Sequence, residues 1–203
     1  MRTKIILPDR SPLFSFVSVS GGLELLLAPG LPIVLTDYVA WEATRSGSQT
    51  AHLIRAWIDG NPDIISVIET ELGQARIARE KAGIALKKDR KNIGEVTIFE
   101  ALASGDVGEG PFLFLFEEDK FVDPGFYGRY PVHSLTTLGF LVGLERGGRI
   151  RDADSVFADM RSNGRSGTKG IIVDRPYRPS RDAEYSLGSE VRPGALPLDP
   201  AGA

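Results

Sequence analysis

Apolar residues over the first 160 positions alternate between two textures: short unbroken runs, and longer stretches with apolar side chains at helical spacing. TKIIL at 3–7, LPIVL at 31–35, IISVI at 64–68 and PFLFLF at 111–116 have strand length, and PFLFLF is the strongest strand signal in the chain. Between them, the stretch from Leu13 to Leu27 is interrupted by Gly21-Gly22 and predicts two short helices. Ser11-Pro12 predicts an N-cap followed by the residue preferred at the first helical position. Thr36 and Asp37 predict a helix start leading through Val39, Ala40 and Ala43. A further helix over 49–58 ends at the turn signal Asp59-Gly60-Asn61-Pro62, and a charged helix is expected over 69–82. Asn92 and Glu95 have the spacing of a capping box, opening a helix to Ala103. A Pro- and Gly-rich loop after residue 119 leads to TTLGFLVGLE, a helix over 136–145.

Strand, helices, strand, helices is the order of a mainly parallel sheet covered by helices on both faces, a three-layer α/β/α fold. In open sheets of this kind the reactive site lies beyond the carboxyl ends of the strands. Lys87 to Lys91 reads as a solvated connection. From Arg161 onward the texture changes: 11 of 43 residues are Gly or Pro, and no apolar period survives. The expected organisation is one domain over 1–160 and a disordered extension over 161–203, with IIV at 171–173 its one apolar point.

Composition narrows the chemistry. The 203 residues include no cysteine, which excludes disulfides, thiolate nucleophiles and cysteine-ligated metals. The longest apolar run is far too short to span a bilayer, and the N-terminus lacks a signal-peptide succession. A cytoplasmic protein with no membrane partner is therefore expected. Residues 1–160 carry 17 Lys and Arg against 22 Asp and Glu, whereas 161–203 carry 7 against 5. A broad basic footprint is absent, and surplus carboxylate suits a cation-binding pocket.

Four acids stand at the ends or starts of predicted elements: Asp9, Glu42, Glu95 and Asp119. A fold that gathers these ends would crowd four carboxylates, which proteins tolerate chiefly when a divalent cation neutralises them. Each acid has a duller explanation taken alone. Asp9 suits a turn, Glu95 a capping box, Glu42 a solvent-facing helix position and Asp119 a loop. His52 and His133 are distant in sequence and there is no Gly-x-Ser-x-Gly elbow, so a hydrolase triad has no support. GDVGEG at 105–110 precedes a strand and is no dinucleotide fingerprint.

In joint order, IILPDRSPLFSF, then LPIVLTDYVAWEAT, IGEVTIFEALASG, FLFLFEEDKF and LTTLGFLVGLERGGRI resemble the PIN-domain superfamily, most closely the VapC-like toxin ribonucleases. The resemblance covers about residues 2–160. It implies a PIN-like α/β/α fold and hydrolysis of RNA phosphodiester bonds with Mg2+ or Mn2+. By it, Asp9, Glu42, Glu95 and Asp119 are the metal-binding and catalytic acids, with Glu118 an alternative to Asp119, and Ser11 orients Asp9 or a water. It also implies a cognate antitoxin and a homodimer as partners. A PIN-like module that binds RNA or protein without cutting is the alternative. A phosphoacceptor receiver domain fits less well, since its paired acids after the first strand and its Lys after the last are missing.

Overall fold

The computed structural model describes residues 3–84, 92–117 and 130–165. Five strands form one parallel sheet: β1 (Ile5–Pro8), β2 (Ile33–Thr36), β3 (Ile65–Ile68), β4 (Phe112–Phe116) and β5 (Val132–Thr136). Their spatial order is β3-β2-β1-β4-β5. Parallel neighbours require crossover connections, and these run right-handed. The steps from β1 to β2 to β3 move in one direction and the return to β4 moves in the other. Helices consequently lie on both faces, as the alternating texture predicts.

Burial follows position in the sheet. Every residue of β2 and β4 is buried, while the edge strands β3 and β5 keep partly exposed positions. That is why PFLFLF reads as an unbroken apolar run: a central parallel strand is covered on both faces. Its Leu113, Phe114 and Leu115 are fully buried. Between two helices packed on the sheet, Phe16 meets Phe140 edge-to-face at 5.7 Å.

The helices are α1 (Arg10–Val17), α2 (Gly22–Leu27), α3 (Asp37–Thr44), α4 (Gln49–Gly60), α5 (Glu71–Lys81), α6 (Ile93–Ser104), α7 (Thr137–Arg146) and α8 (Ala153–Ser162). Thr36, Ser48, Thr70 and Thr136 cap α3, α4, α5 and α7 with side-chain oxygens that accept backbone N–H bonds. None of the helices among the described residues is long and apolar enough to cross a membrane.

Two local expectations are corrected. The first helix begins at Arg10 with Asp9 as its N-cap, so Ser11 lies inside the first turn and Pro12 is the third helical residue. Proline is tolerated there because the first-turn N–H groups have no helical acceptor to lose. At α6, Asn92 sits in the left-handed region at φ 60° and its side chain makes no capping bond. A capping box needs an extended N-cap, so its Asn92 half does not form.

Strand β5 and helix α8 were not expected from the pattern. VHSLT mixes polar and apolar residues on a half-covered edge and so lacks a strand's usual signature. Helix α8 runs past residue 160, and Arg165 packs back onto α1. The Lys87–Lys91 connection, Glu118, Asp119 and the C-terminal extension beyond Arg165, IIV at 171–173 included, lie outside the described residues.

Candidate functional site

Strands β1 and β4 are neighbours, yet the chain leaves them in opposite directions, from β1 toward β2 and from β4 toward β5. This is a topological switch point, where the departing connections diverge and leave a crevice outside the strand ends. Asp9 directly follows β1 and Glu117 directly follows β4. The Asp9 N–H donates to the Leu115 carbonyl at 2.9 Å, tying the two strand ends together.

Buried polar side chains gather along this carboxyl edge of the sheet: Thr70 after β3, Thr36 and Asp37 at β2, Asp9 at β1, Glu117 at β4, and Thr136 and Thr137 at β5. Glu95 and Thr97 join them from the first turns of α6, with the Thr97 and Thr36 hydroxyls 2.8 Å apart. Core-facing polar groups cost stability unless they are bonded or used. Their concentration at one edge marks it as the chemically equipped part of the molecule.

Asp9 is 8% exposed, and its pKa is pushed up from 3.8 to about 6. Burial is the main cause, since it penalises the charged form, and the nearby Glu42 carboxylate adds repulsion. The Arg10 and Ser11 amides and the Arg10 guanidinium pull the other way without cancelling this. Glu42 arrives from the second turn of α3 and accepts from Arg10 Nη1 at 2.8 Å. Two of the sequence-predicted acids are therefore close enough to feel each other, with a guanidinium beside the outer one.

Glu95 reaches the same corner by a close approach of backbone. A Cβ added at Gly94 would lie 2.8 Å from Asp9 Oδ1 and 3.3 Å from Val39 Cγ2, so only glycine lets the start of α6 sit against Asp9. Glu95, the next residue, is 7% exposed. Gly94→Ala is expected to cost about 1–3 kcal/mol through overpacking and to displace Asp9. Thermal melts and any activity of the site would both report the change.

Glu117 is not among the acids that the resemblance points to, because three consecutive acids look alike in sequence. It is 7% exposed, accepts from Thr137 Oγ1 at 2.6 Å, and lies 3.6 Å from Arg165 Nη2. The one available signal was its place directly after the strongest strand. In sequence Asp37 reads only as part of a helix start. It is buried too, its Oδ1 accepting from Thr70 Oγ1 and the Tyr38 amide at 2.9 Å each, while its buried Oδ2 has no partner among the described residues.

Among the described residues no three His, Asp or Glu side chains form a group that could hold a metal ion by themselves. Glu118 and Asp119 fall outside those residues. What the structure does bring together is Asp9 with Glu42 and with the start of α6 that carries Glu95. Ser11 stands in the first turn of α1 two residues after Asp9, and its carbonyl accepts from Arg165. His52 is exposed and His133 lies on the edge strand β5, so neither belongs to a triad.

No family model matches the sequence, and no curated protein matches it. Among solved structures, similarity is found to a chain in the crystal structure of VapBC2 from Rickettsia felis bound to a DNA fragment from their promoter. The two chains are 14% identical with a TM-score of 0.36, and the match covers 64% of this chain and 98% of that one. Likeness at that level decides nothing about activity; the site's own geometry has to carry the functional reading.

Proposed function

We propose that this chain is a Mg2+- or Mn2+-dependent endoribonuclease of PIN type, acting as the toxin of a toxin–antitoxin pair. The observation that carries the reading is Asp9: a buried carboxylate at the topological switch point, with Glu42 repelling it and Gly94 shaped to admit it. The order of acids along the chain, with its resemblance to VapC-like ribonucleases, supplies the reaction type.

The donor set fits a small hard cation, because carboxylate oxygens are its preferred ligands and Mg2+ keeps several waters while taking only one or two protein carboxylates. Asp9 and Glu95 would hold the ion, joined by Glu118 or Asp119, with Glu42 at its outer side. When bound it would act as a Lewis acid toward phosphoryl oxygens. Asp9 and Glu95 would fix where the scissile phosphate docks, and Ser11 would orient Asp9 or a water. Arg10 positions Glu42 through the 2.8 Å pair. Thr137 positions Glu117 through its hydroxyl.

An antitoxin surface is available in this reading. A groove lined by residues 17–24 of the α1–α2 turn and by Leu53 and Trp57 of α4 exposes apolar side chain, and Leu53 is 48% exposed. An apolar groove between helices suits an amphipathic helix of a partner.

The second reading, a module that binds without cutting, draws on the guanidinium of Arg10 beside Glu42, which occupies a carboxylate a working metal site would use. Purified protein incubated with a mixed RNA pool under Mg2+, Mn2+ or EDTA separates the two. New RNA ends that appear only with a divalent cation are expected; an uncut pool under every cation would leave the second reading.

A further inference from the structure

The outer rim of the crevice carries an arrangement that the acids do not account for. Arg10 and Arg165, at opposite ends of the described fold, converge on one ring: each guanidinium carbon lies 5.7 Å from the centroid of Phe14. Arg165 is held in place by several contacts, its Nε donating to Ser15 Oγ and its Nη2 to the Ser11 carbonyl, each at 3.3 Å. Just before it, Asn163 Nδ2 donates to the Ser18 carbonyl at 2.7 Å, so the end of α8 is fastened along α1.

Local charge balance explains only the inner half of this arrangement. Glu42 and Glu117 are 18% and 9% exposed at the side chain, whereas Arg10 and Arg165 are 43% and 33% exposed. A guanidinium carries five donors in a planar fork, and one nitrogen of each arginine meets its carboxylate. The partly exposed guanidiniums, both within reach of one half-buried aromatic ring and one of them beside Asp9, combine the two features that single-stranded nucleic acid recognition uses: cations for phosphate and flat surfaces for bases.

We infer that Arg10, Phe14 and Arg165 form a docking edge for a single-stranded polynucleotide, which leads the strand across α1 into the crevice between Asp9 and Glu117. The inference rests on the nuclease reading for its substrate class. The two guanidiniums take phosphates of one strand, and a base stacks against a guanidinium plane backed by Phe14. A duplex keeps its bases stacked on one another and has no base to offer, so the edge discriminates against it.

The test is fluorescence anisotropy with full-length protein in EDTA, which removes cleavage from the measurement. The probes are a short labelled single-stranded RNA, a DNA of the same sequence and the RNA duplex, each over a salt series. Arg165→Ala is expected to weaken single-strand binding and to reduce the slope of log affinity against log salt by about 0.7. Phe14→Leu, which keeps an apolar side chain against the core, is expected to weaken binding about fivefold or more. Thermal melts of both variants confirm that they are folded. RNA and DNA weakened alike support a backbone-and-stacking edge.

Unchanged affinity in folded Arg165→Ala would overturn the inference, as would tighter binding, which would make the guanidinium a plug over Glu117. Duplex binding as tight as the single strand would overturn it too. Failure here is separable from failure of the nuclease reading. Metal-dependent cleavage with unchanged Arg165→Ala binding sinks only the docking edge, while weakened Arg165→Ala binding with no cleavage under any cation sinks only the nuclease.

Discussion

Asp9→Asn is expected to abolish cation-dependent RNA cleavage, with a loss of roughly a thousandfold or more, corresponding to about 4 kcal/mol of transition-state stabilisation. The fold should survive, because the asparagine side chain is nearly isosteric with the aspartate and keeps an oxygen that can accept from the α1 amides. What disappears is the negative charge at the point where the β1 and β4 ends meet. Cleavage assays on wild type and Asp9→Asn with circular dichroism on both decide it. A folded Asp9→Asn protein that still cuts would remove Asp9 from the chemistry and with it the main support for the nuclease reading.

The second large effect concerns stability and pH. With its folded pKa raised to about 6 against an ordinary 3.8, Asp9 holds a proton in the folded state over a window where the unfolded chain has released it. The folded state then binds more protons, so stability falls as pH rises from about 4 to about 6. Above that window the buried charge costs about 3 kcal/mol, from roughly two units at 1.36 kcal/mol each. Asp9→Asn should therefore melt higher than wild type at neutral pH and lose this component of the pH dependence.

Mn2+ should act in the opposite sense. At a hundredfold excess over its dissociation constant, a cation that binds only the folded state stabilises it by about 2.7 kcal/mol, a rise of roughly 5–10 °C in a protein of this size. The rise should shrink at pH 5, where a proton competes for Asp9, and be absent in Asp9→Asn. Melts of the two proteins across pH, with and without Mn2+, test this directly. A wild-type protein whose melting point ignores Mn2+ at neutral pH would favour the module that binds without cutting.

How much could be read in advance varied with how local the cause was. PFLFLF and the Thr36 cap were legible because a doubly covered strand and an N-cap are written in a few adjacent residues. VHSLT was not, since an edge strand takes its stability from the neighbour it pairs with, here β4. The Asn92-x-x-Glu95 spacing suggested a capping box, but the chain enters α6 with Asn92 left-handed and its side chain outside capping reach. Glu117 is not legible in advance, because three adjacent acids carry no local pattern that tells which of them is buried.

The amino-acid order by itself determined the class of the fold, since alternating apolar runs and helical periods leave few ways to cover a sheet on both faces. It also named the acids worth examining. Only the tertiary structure decided that β1 and β4 lie side by side, because strand order depends on crossovers spanning the whole chain. That adjacency sets Asp9 beside Glu117's strand, while β2 on the other side of β1 leads into α3 and brings Glu42 near, and burial together with like charge raises the Asp9 pKa. The meeting of Arg10 with Glu42, and of Arg165 with Glu117 and Phe14, is likewise a product of packing across long sequence separations, which no local pattern encodes.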